Sequence, residues 1–547
     1  MIPLLANLGW LASNVGSRRR FLRQLRDPVG TQDERLRSLI AGHAATEFGR
    51  AHHFDRIDSA AAFRRQVPLC TYEDLAPAID RIRRGEPKVL TDDAVTHLVP
   101  TSGSSGACKL IPFTATLQRE FQAAIGPWVS DLYLSHPRAL RGPSYWAISP
   151  SPPSDSRADS VVPIGFEDDS QYLGGVRQRL VTAALAVPSG VRTVSDRETF
   201  FLLTAVCLLR RENLGVISVW HPSFLLLLLA SLQRHWDEVL AVLESGKLPS
   251  TRPVSGPLLI ALGLKSHPER ARFLRRLGPD RPAAFWPRLS VISCWTQAHA
   301  AVAAAEVARR FPGVVIQPKG LLATEGVVSV PFEGTHPLAV GSHVYEFLDD
   351  EGRLHPLDQL VEGARYEVVL TTGGGLWRYR LGDRVQVTGR KAATPCLEFV
   401  GRAGVVSDRF GEKLAEEFVS GVLAGLVHRS PGPAAFVLLA PESDGTRGHY
   451  VLFWQSDHAA PDPGMVDRLL CENPHYAWCR QLGQLEAVRV IPPGPDAYLR
   501  YAERIGSRQR LGELKPPALS LLDGWTAWFA RDSARQGPPR LTPRVQE

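Results

Sequence analysis

Apolar positions recur at helical spacing over Gln32–Phe48, Ser59–Gln66 and Tyr72–Arg84, which predicts an opening region built of helices with polar outer faces. From Ala94 the texture changes: AVTHLVP reads as a short strand, TSGSSGACK (Thr101–Lys109) as a small-residue loop, and Thr114–Leu134 as a long amphipathic helix. Pro150–Ser160, rich in Ser, Pro and Asp, reads as a surface loop. Leu289–Trp295 reads as a buried strand, Ala298–Phe311 as an alanine-rich helix, and Val314–Gly320 as a strand running into LLATEG. Alternating strands and helices predict a mainly parallel α/β core. Between Ser342 and Val400, short runs dense in Val, Tyr, Phe and Thr predict an antiparallel sheet or barrel-like subdomain. After Gly401 the pattern restarts as helix Glu412–His428, strands Ala434–Ala440 and Tyr450–Gln455, helix Met465–Leu482, strand Leu485–Ile491 and helix Asp496–Ile505. The expected architecture is thus α/β: a large N-terminal domain, 1–405, and a smaller, moving α+β domain, 406–547. Gly401, Gly404 and Gly411 could serve as pivots at the boundary.

The 547 residues are 44% apolar and 22% charged, enough to bury a large core, and this excludes disorder, collagen and coiled coil for the chain as a whole. The net charge of +7 is thinly spread; it suits anionic ligands and does not argue for nucleic acid. Seven scattered cysteines show no zinc spacing and no disulfide framework, so the expected compartment is reducing, the cytoplasm. At the start of the chain the apolar stretch precedes the basic cluster, the reverse of a secretory signal. Phe224–Leu232 is too short to span a bilayer and is expected as a buried helix; no stable membrane insertion is expected, while surface association of the first helix stays open. Only eight of the 63 basic residues are lysine, so each lysine is of interest, because a compact ammonium is not replaceable by a guanidinium at a crowded phosphate.

Several short motifs carry candidate chemistry. In Thr101–Lys109, glycines let backbone N–H groups converge on an anion, hydroxyls add donors and Lys109 adds a point charge; the spacing is not that of a Walker loop, and a Ser/Gly linker would look similar. The pair Thr324–Glu325 follows a strand where open α/β sheets bind ligands; Glu325 could hold Mg²⁺, or the pair could be a surface turn. In GLWRYRLGDRVQVTG, Asp383 at an expected tight Gly-Asp turn could accept both ribose hydroxyls, with Trp377 and Tyr379 as aromatic faces and Arg378 and Arg380 as fork donors; the alternative is a hairpin with a surface ion pair. Lys515 in GELKPP stands before two stiffening prolines, and Glu412–Lys413 reads as an exposed helix start. His52, His53, His136 and His299 lack a second ligand at useful spacing. The motifs HExxH, GxSxG and a strand-borne GxGxxG are absent.

In order, TSGSSGACKLIP, ATEG, YRLGDRVQVTG, GRAGVVSDRFGEKL and GELKPP resemble the adenylate-forming superfamily. More specifically they resemble the auxin-responsive-promoter (Gretchen Hagen) family of acyl acid-amido synthetases in its bacterial form, over about Gln32 to Trp525. The resemblance implies an ATP- and Mg²⁺-dependent ligase that adenylates a small carboxylic acid and passes the acyl group to an amine, an amino acid being expected. A thiol acceptor such as coenzyme A and a non-catalytic nucleotide-binding homologue are the alternatives. It implies that Thr101, Ser102, Gly103, Ser104, Ser105, Gly106 and Lys109 wrap the phosphates. Thr324 and Glu325 would contact the α-phosphate and the metal, and Asp383 would bind the ribose, with Tyr379 and Arg380 shaping that pocket. Arg402 would sit at the domain junction, and Lys515 would be the mobile-domain lysine reaching the α-phosphate. Lys109, Glu325 and Asp383, which a degenerate homologue would lose, are all present.

Two departures bear on substrate. The first loop is one residue shorter than in plant members. Leu321 stands where those members have an aromatic residue, so adenine stacking must come from elsewhere. The acyl pocket is expected from Thr114–Leu134 with Ile164–Gly175 or Val219–Ser231, where Trp128, Phe166, Tyr172 and Trp220 could be core or ligand wall. Oligomeric state is not legible.

Overall fold

The computed structural model describes residues 2–101, 109–147, 160–166, 175–252, 254–298, 300–430, 432–443, 448–505 and 514–531. The chain opens on a helix, Ile2–Gln24, that buries Trp10 and Phe21. The helix expected over Gln32–Phe48 is two, Pro28–His43 and Glu47–Ala51, because Thr46 Oγ1 accepts the Gly49 N–H and starts a new turn. Ser59 caps Ala60–Gln66 in the same way, and Thr71 with Asp74 forms a capping box on Tyr72–Arg83.

Strand β1 (Val95–Pro100) does not lead through the small-residue loop into a helix, as the sequence suggested. It pairs antiparallel with β2 (Leu110–Thr114), so that Thr101–Lys109 closes a hairpin. Ile111 and Phe113 of β2 are buried. Only then does Thr114 cap the helix Ala115–Ser135.

The central sheet is parallel, with β3 (Ser144–Trp146), β4 (Val216–Ser218), β5 (Val291–Cys294) and β6 (Val315–Pro318) adjacent in chain order. Among its flanking helices are Arg197–Leu209, Pro222–Arg234 and Ala300–Arg310. The leucine run falls on the second of these, buried as expected. A fully buried Leu or Phe contributes about 1.5–3 kcal/mol, and this layer is made largely of them.

The β-rich region is a five-stranded antiparallel sheet of β7 (Val344–Leu348), β8 (Leu354–His355), β9 (Arg365–Thr371), β10 (Tyr379–Lys391) and β11 (Thr394–Arg402), ordered β11-β10-β9-β7-β8. Gly382–Asp383 is not a tight turn between strands. It lies inside β10, where the register with β9 shifts between Arg380 and Arg384 and Gly382 takes φ +79°. Trp377 is wholly buried against Phe48 and Phe54, and Arg378 is buried on Glu346 and the Val67 carbonyl, so both belong to the core.

Beyond Arg402, β12 (Val406–Ser407) pairs with β13 (Leu414–Ala415), and the helix starts at Glu416 rather than Glu412. Glu412 is buried, not exposed: it accepts the Arg409 and Phe410 N–H groups and the Tyr450 hydroxyl. β14 (Phe436–Ser443) and β15 (Gly448–Gln455) are antiparallel, and β16 (Arg489–Ile491) runs parallel to β15. The helix expected over Met465–Leu482 is split into Pro463–Leu470 and Pro474–Gln481, because Asn473 caps a new start with a proline in its first turn. The main hydrophobic core continues from Ile217 and Phe224 into Phe436, Phe453 and Trp525. Among the described residues no helix is long and apolar enough to cross a membrane.

Candidate active site

A cleft of about 670 Å³ opens where the carboxyl ends of β5 and β6 meet β10, β11 and the segment that carries Lys515 and Pro517. This is where open α/β sheets take ligands. Asp383, Arg402, Glu416 and Lys515 all line it.

Asp383 and Arg402 are cross-strand partners on β10 and β11, with Arg402 Nε 3.2 Å from Asp383 Oδ1. The β10–β11 register shifts just beyond this pair, between Arg384 and Val385. The Asp383 charge holds the Arg402 guanidinium above its usual pKa; burial opposes this, and Glu416 and Glu325 add to it. Burial pushes the Glu416 carboxyl above the usual range, opposed by Arg402 and the Ala518 N–H.

Thr324–Glu325 forms the two-residue tip of a tight hairpin: Ala323 and Gly326 exchange N–H···O bonds of 3.0 and 3.3 Å, and Leu322 pairs with Val327. The Glu325 carboxyl is buried, and burial raises its pKa, with Asp383 adding to the shift and Arg402 and Lys109 opposing it. The tip is held from behind. Val327 N–H donates to His343 Nε2 at 3.0 Å, which leaves the ring proton on Nδ1, 2.8 Å from Glu120 Oε2. Glu120 also accepts the Gly373 N–H and pairs with Arg35. A Cβ on Gly326 would lie 2.8 Å from that imidazole nitrogen.

Lys109 Nζ lies 3.3 Å from the Tyr379 hydroxyl and over the Tyr72 ring at 5.5 Å. Thr101 N–H donates to the Lys109 carbonyl at 2.8 Å, closing the neck of the loop. Ser102, Gly103, Ser104, Ser105 and Gly106 lie outside the described residues. Arg380 pairs with Glu367 through both Nε and an Nη rather than turning toward Asp383. Lys515 Nζ sits 3.8 Å above the Trp295 ring. Its flank is anchored by the Ala518 N–H to Glu416 and the Leu439 N–H to the Ala518 carbonyl. The structure thus brings Lys109, Glu325, Asp383, Arg402 and Lys515 to one region and leaves Arg380 aside. Glu416, Trp295, Tyr72, Glu120 and His343 are additions that carry no local motif. Glu120 and His343, for instance, are 223 residues apart in sequence.

The model of the GH3 family N-terminal domain matches residues 17–314, and that of the GH3 family central domain matches residues 337–402. The chain belongs to the GH3 family. Among relatives, a probable indole-3-acetic acid-amido synthetase, GH3.12 of Oryza sativa subsp. japonica, is 26% identical over 87% of this GH3 chain and 88% of its own. Among solved structures, AtGH3.15 acyl acid amido synthetase in complex with 2,4-DB superposes with a TM-score of 0.81 at 22% identity, covering 93% of this chain and 95% of that one. A 2-hydroxyisobutyryl-CoA ligase in its postadenylation state, with 2-HIB-AMP, matches at TM-score 0.52 and 12% identity over 86% and 88%. These likenesses establish the fold, that of the adenylate-forming enzymes.

No group of three or more His, Cys, Asp or Glu side chains suited to a metal occurs among the described residues. The buried Glu325 carboxylate would suit a cation that keeps water and phosphate oxygens as its other ligands. That fits Mg²⁺ rather than zinc.

Proposed function

We propose that this chain is an ATP-dependent acyl acid-amido synthetase, acting on a small carboxylic acid and an amine, with an amino acid as the amine. The observation that carries this is a cleft lined by the Asp383–Arg402 pair and Lys515, with Glu325 within electrostatic reach of Asp383, Arg402 and Lys109, in a GH3 chain. Asp383 would take the ribose hydroxyls, with Arg402 orienting it. Lys109, steered by the Tyr379 hydroxyl, would meet the phosphates together with the loop Thr101–Gly106, and Tyr379 would form that wall. Thr324 would donate to the α-phosphate.

A carboxylate oxygen attacks the α-phosphorus, the bond to the β-phosphate oxygen breaks, and pyrophosphate leaves. Fixed donors meet the charge that grows on the α-phosphoryl oxygens. Mg²⁺ held by Glu325 would supply charge neutralisation between the phosphates. Lys515 would hold its ammonium against the α-phosphate while water is excluded. The amine then attacks the acyl carbon, the bond to AMP breaks, and the amine loses a proton, giving amide and AMP.

We place the domain boundary between 1–405 and 406–547. The family's central-domain match ends at 402, Gly404 takes φ +82°, and β12 begins the next unit. Movement about this point would carry Lys515 to and from the cleft. The six described cysteines are thiols, five of them buried, which suits the cytoplasm.

The test is pyrophosphate release that depends on both acid and amine. Lys109→Ala and Glu325→Ala are expected to lower it by about 100-fold or more. Loss of less than about threefold, under ~1 kcal/mol of ΔΔG‡, would mean the roles are wrongly assigned. Product mass separates an amide from a thioester, and no pyrophosphate with any acid would point to a non-catalytic homologue.

A further inference from the structure

Lys319 follows β6 at the floor of the cleft and is only 2% exposed. Its side chain passes β5, and Nζ donates to Ser218 Oγ at the carboxyl end of β4 at 2.6 Å. Three indoles surround the ammonium, with Trp128, Trp146 and Trp220 centroids at 4.9, 5.4 and 4.8 Å. Trp128 is fixed by donating Nε1 to Gln317 Oε1. Trp146 Nε1 is buried with no hydrogen-bond partner among the described residues. The cage therefore offers an ammonium among flat apolar walls.

Trp220 also packs against Trp295, the ring beneath Lys515, with centroids 5.6 Å apart and the planes tilted by 36°. Two ammonium groups thus flank one pair of indoles. If Lys515 marks the reacting end, a planar acid lying along that pair directs its far end at Lys319. An ammonium in an aromatic, low-dielectric site strengthens any bond to an acceptor, and such a site rejects an analogue that lacks the acceptor.

We propose that Lys319, with Trp128, Trp146 and Trp220, forms a specificity subsite for aryl acids that carry a second hydrogen-bond acceptor, such as a carboxylate or phenolic oxygen, at the end remote from the reacting carboxylate. This rests on reading the cleft as an acid-adenylating site. The test uses matched pairs: benzoate with terephthalate, and phenylacetate and 3-phenylpropanoate with their 4-carboxy and 4-hydroxy analogues. Affinity is read by tryptophan fluorescence titration, and kcat/KM by pyrophosphate release. The parent is expected to favour the acceptor-bearing member of its best pair by about tenfold or more. Lys319→Met should bring that ratio within about twofold, whereas Lys109→Ala should not alter it. If Lys319→Met does not fold, Ser218→Ala, which removes the anchor of Nζ, should cut the ratio at least threefold. A parent that favours the plain acid in every pair, or a ratio unchanged in the folded variant, overturns the subsite. Selective binding without pyrophosphate release would support the subsite and overturn the functional reading instead.

Discussion

His343 joins Glu120 to Val327: Nδ1 lies 2.8 Å from the Glu120 carboxylate and Nε2 accepts the Val327 N–H at 3.0 Å, with all three groups buried. The helix Ala115–Ser135 thereby braces the hairpin that presents Thr324 and Glu325. His343→Ala would leave the buried Val327 N–H without its acceptor, at about 1–3 kcal/mol, while Glu120 would keep the Gly373 N–H and Arg35. A lower denaturation midpoint is expected, together with a fall in kcat larger than the change in KM for the acid. Gly326→Ala, whose Cβ would press on the imidazole, is expected to show the same kinetic pattern.

Glu416 gives a pH signature. Burial holds its carboxyl above the ordinary carboxylate value in the folded protein. The folded chain then keeps this proton to higher pH than the unfolded chain does. Its contribution to stability is complete below the unfolded pKa and is lost as pH rises through the folded one. Glu416→Gln, which can still accept the Ala518 N–H, is expected to match the parent in Tm near pH 4 and to exceed it by about 1–3 °C near pH 7.5. Equal Tm differences at both pH values would show that the carboxyl is not held protonated by its site.

Lys515 should separate the two half-reactions. Lys515→Ala is expected to slow acid-dependent pyrophosphate release by about 100-fold or more, the scale of one lost electrostatic contact to a transition state. Aminolysis of a chemically prepared acyl-adenylate should fall by less than about fivefold. A comparable loss in both steps would place the ammonium at the acyl carbon rather than at the phosphate.

Arg380 and Asp383 stand three residues apart, and the bulge between them sends them to different tasks. Arg380 pairs with Glu367 at the surface of the sheet, so Arg380→Ala should leave the KM for ATP within about twofold and cost at most ~1 kcal/mol of stability. Asp383→Ala should raise that KM by about tenfold or more, from loss of charged hydrogen bonds. Titration of ATP in steady state separates the two.

Much of the architecture was legible because it is written in local periodicity. Apolar spacing announces the helices at Ser59–Gln66 and Tyr72–Arg84, Leu289–Trp295 its strand, and the valine- and tyrosine-rich runs the antiparallel sheet. The misses came where two signals abut. Leu110–Thr114 runs directly into a helix cap, Pro474 restarts a helix within one apolar pattern, and a bulge at Gly382 carries the same residues as a turn. Lys109, Glu325, Asp383, Arg402 and Lys515 stand out as candidates in the sequence because their neighbours form recognisable motifs. Glu416, Trp295, Lys319 and the Glu120–His343 pair do not. Their chemistry arises only when distant segments meet, as when Lys319 reaches across a strand to Ser218.

The closed neck between Thr101 and Lys109 has a practical corollary. Because Pro100 faces Leu110 in register and the Thr101 amide is tied to the Lys109 carbonyl, both ends of the intervening segment are clamped at a fixed span. Adding or removing one residue between these ends is therefore expected to leave the pairing of β1 with β2 in register.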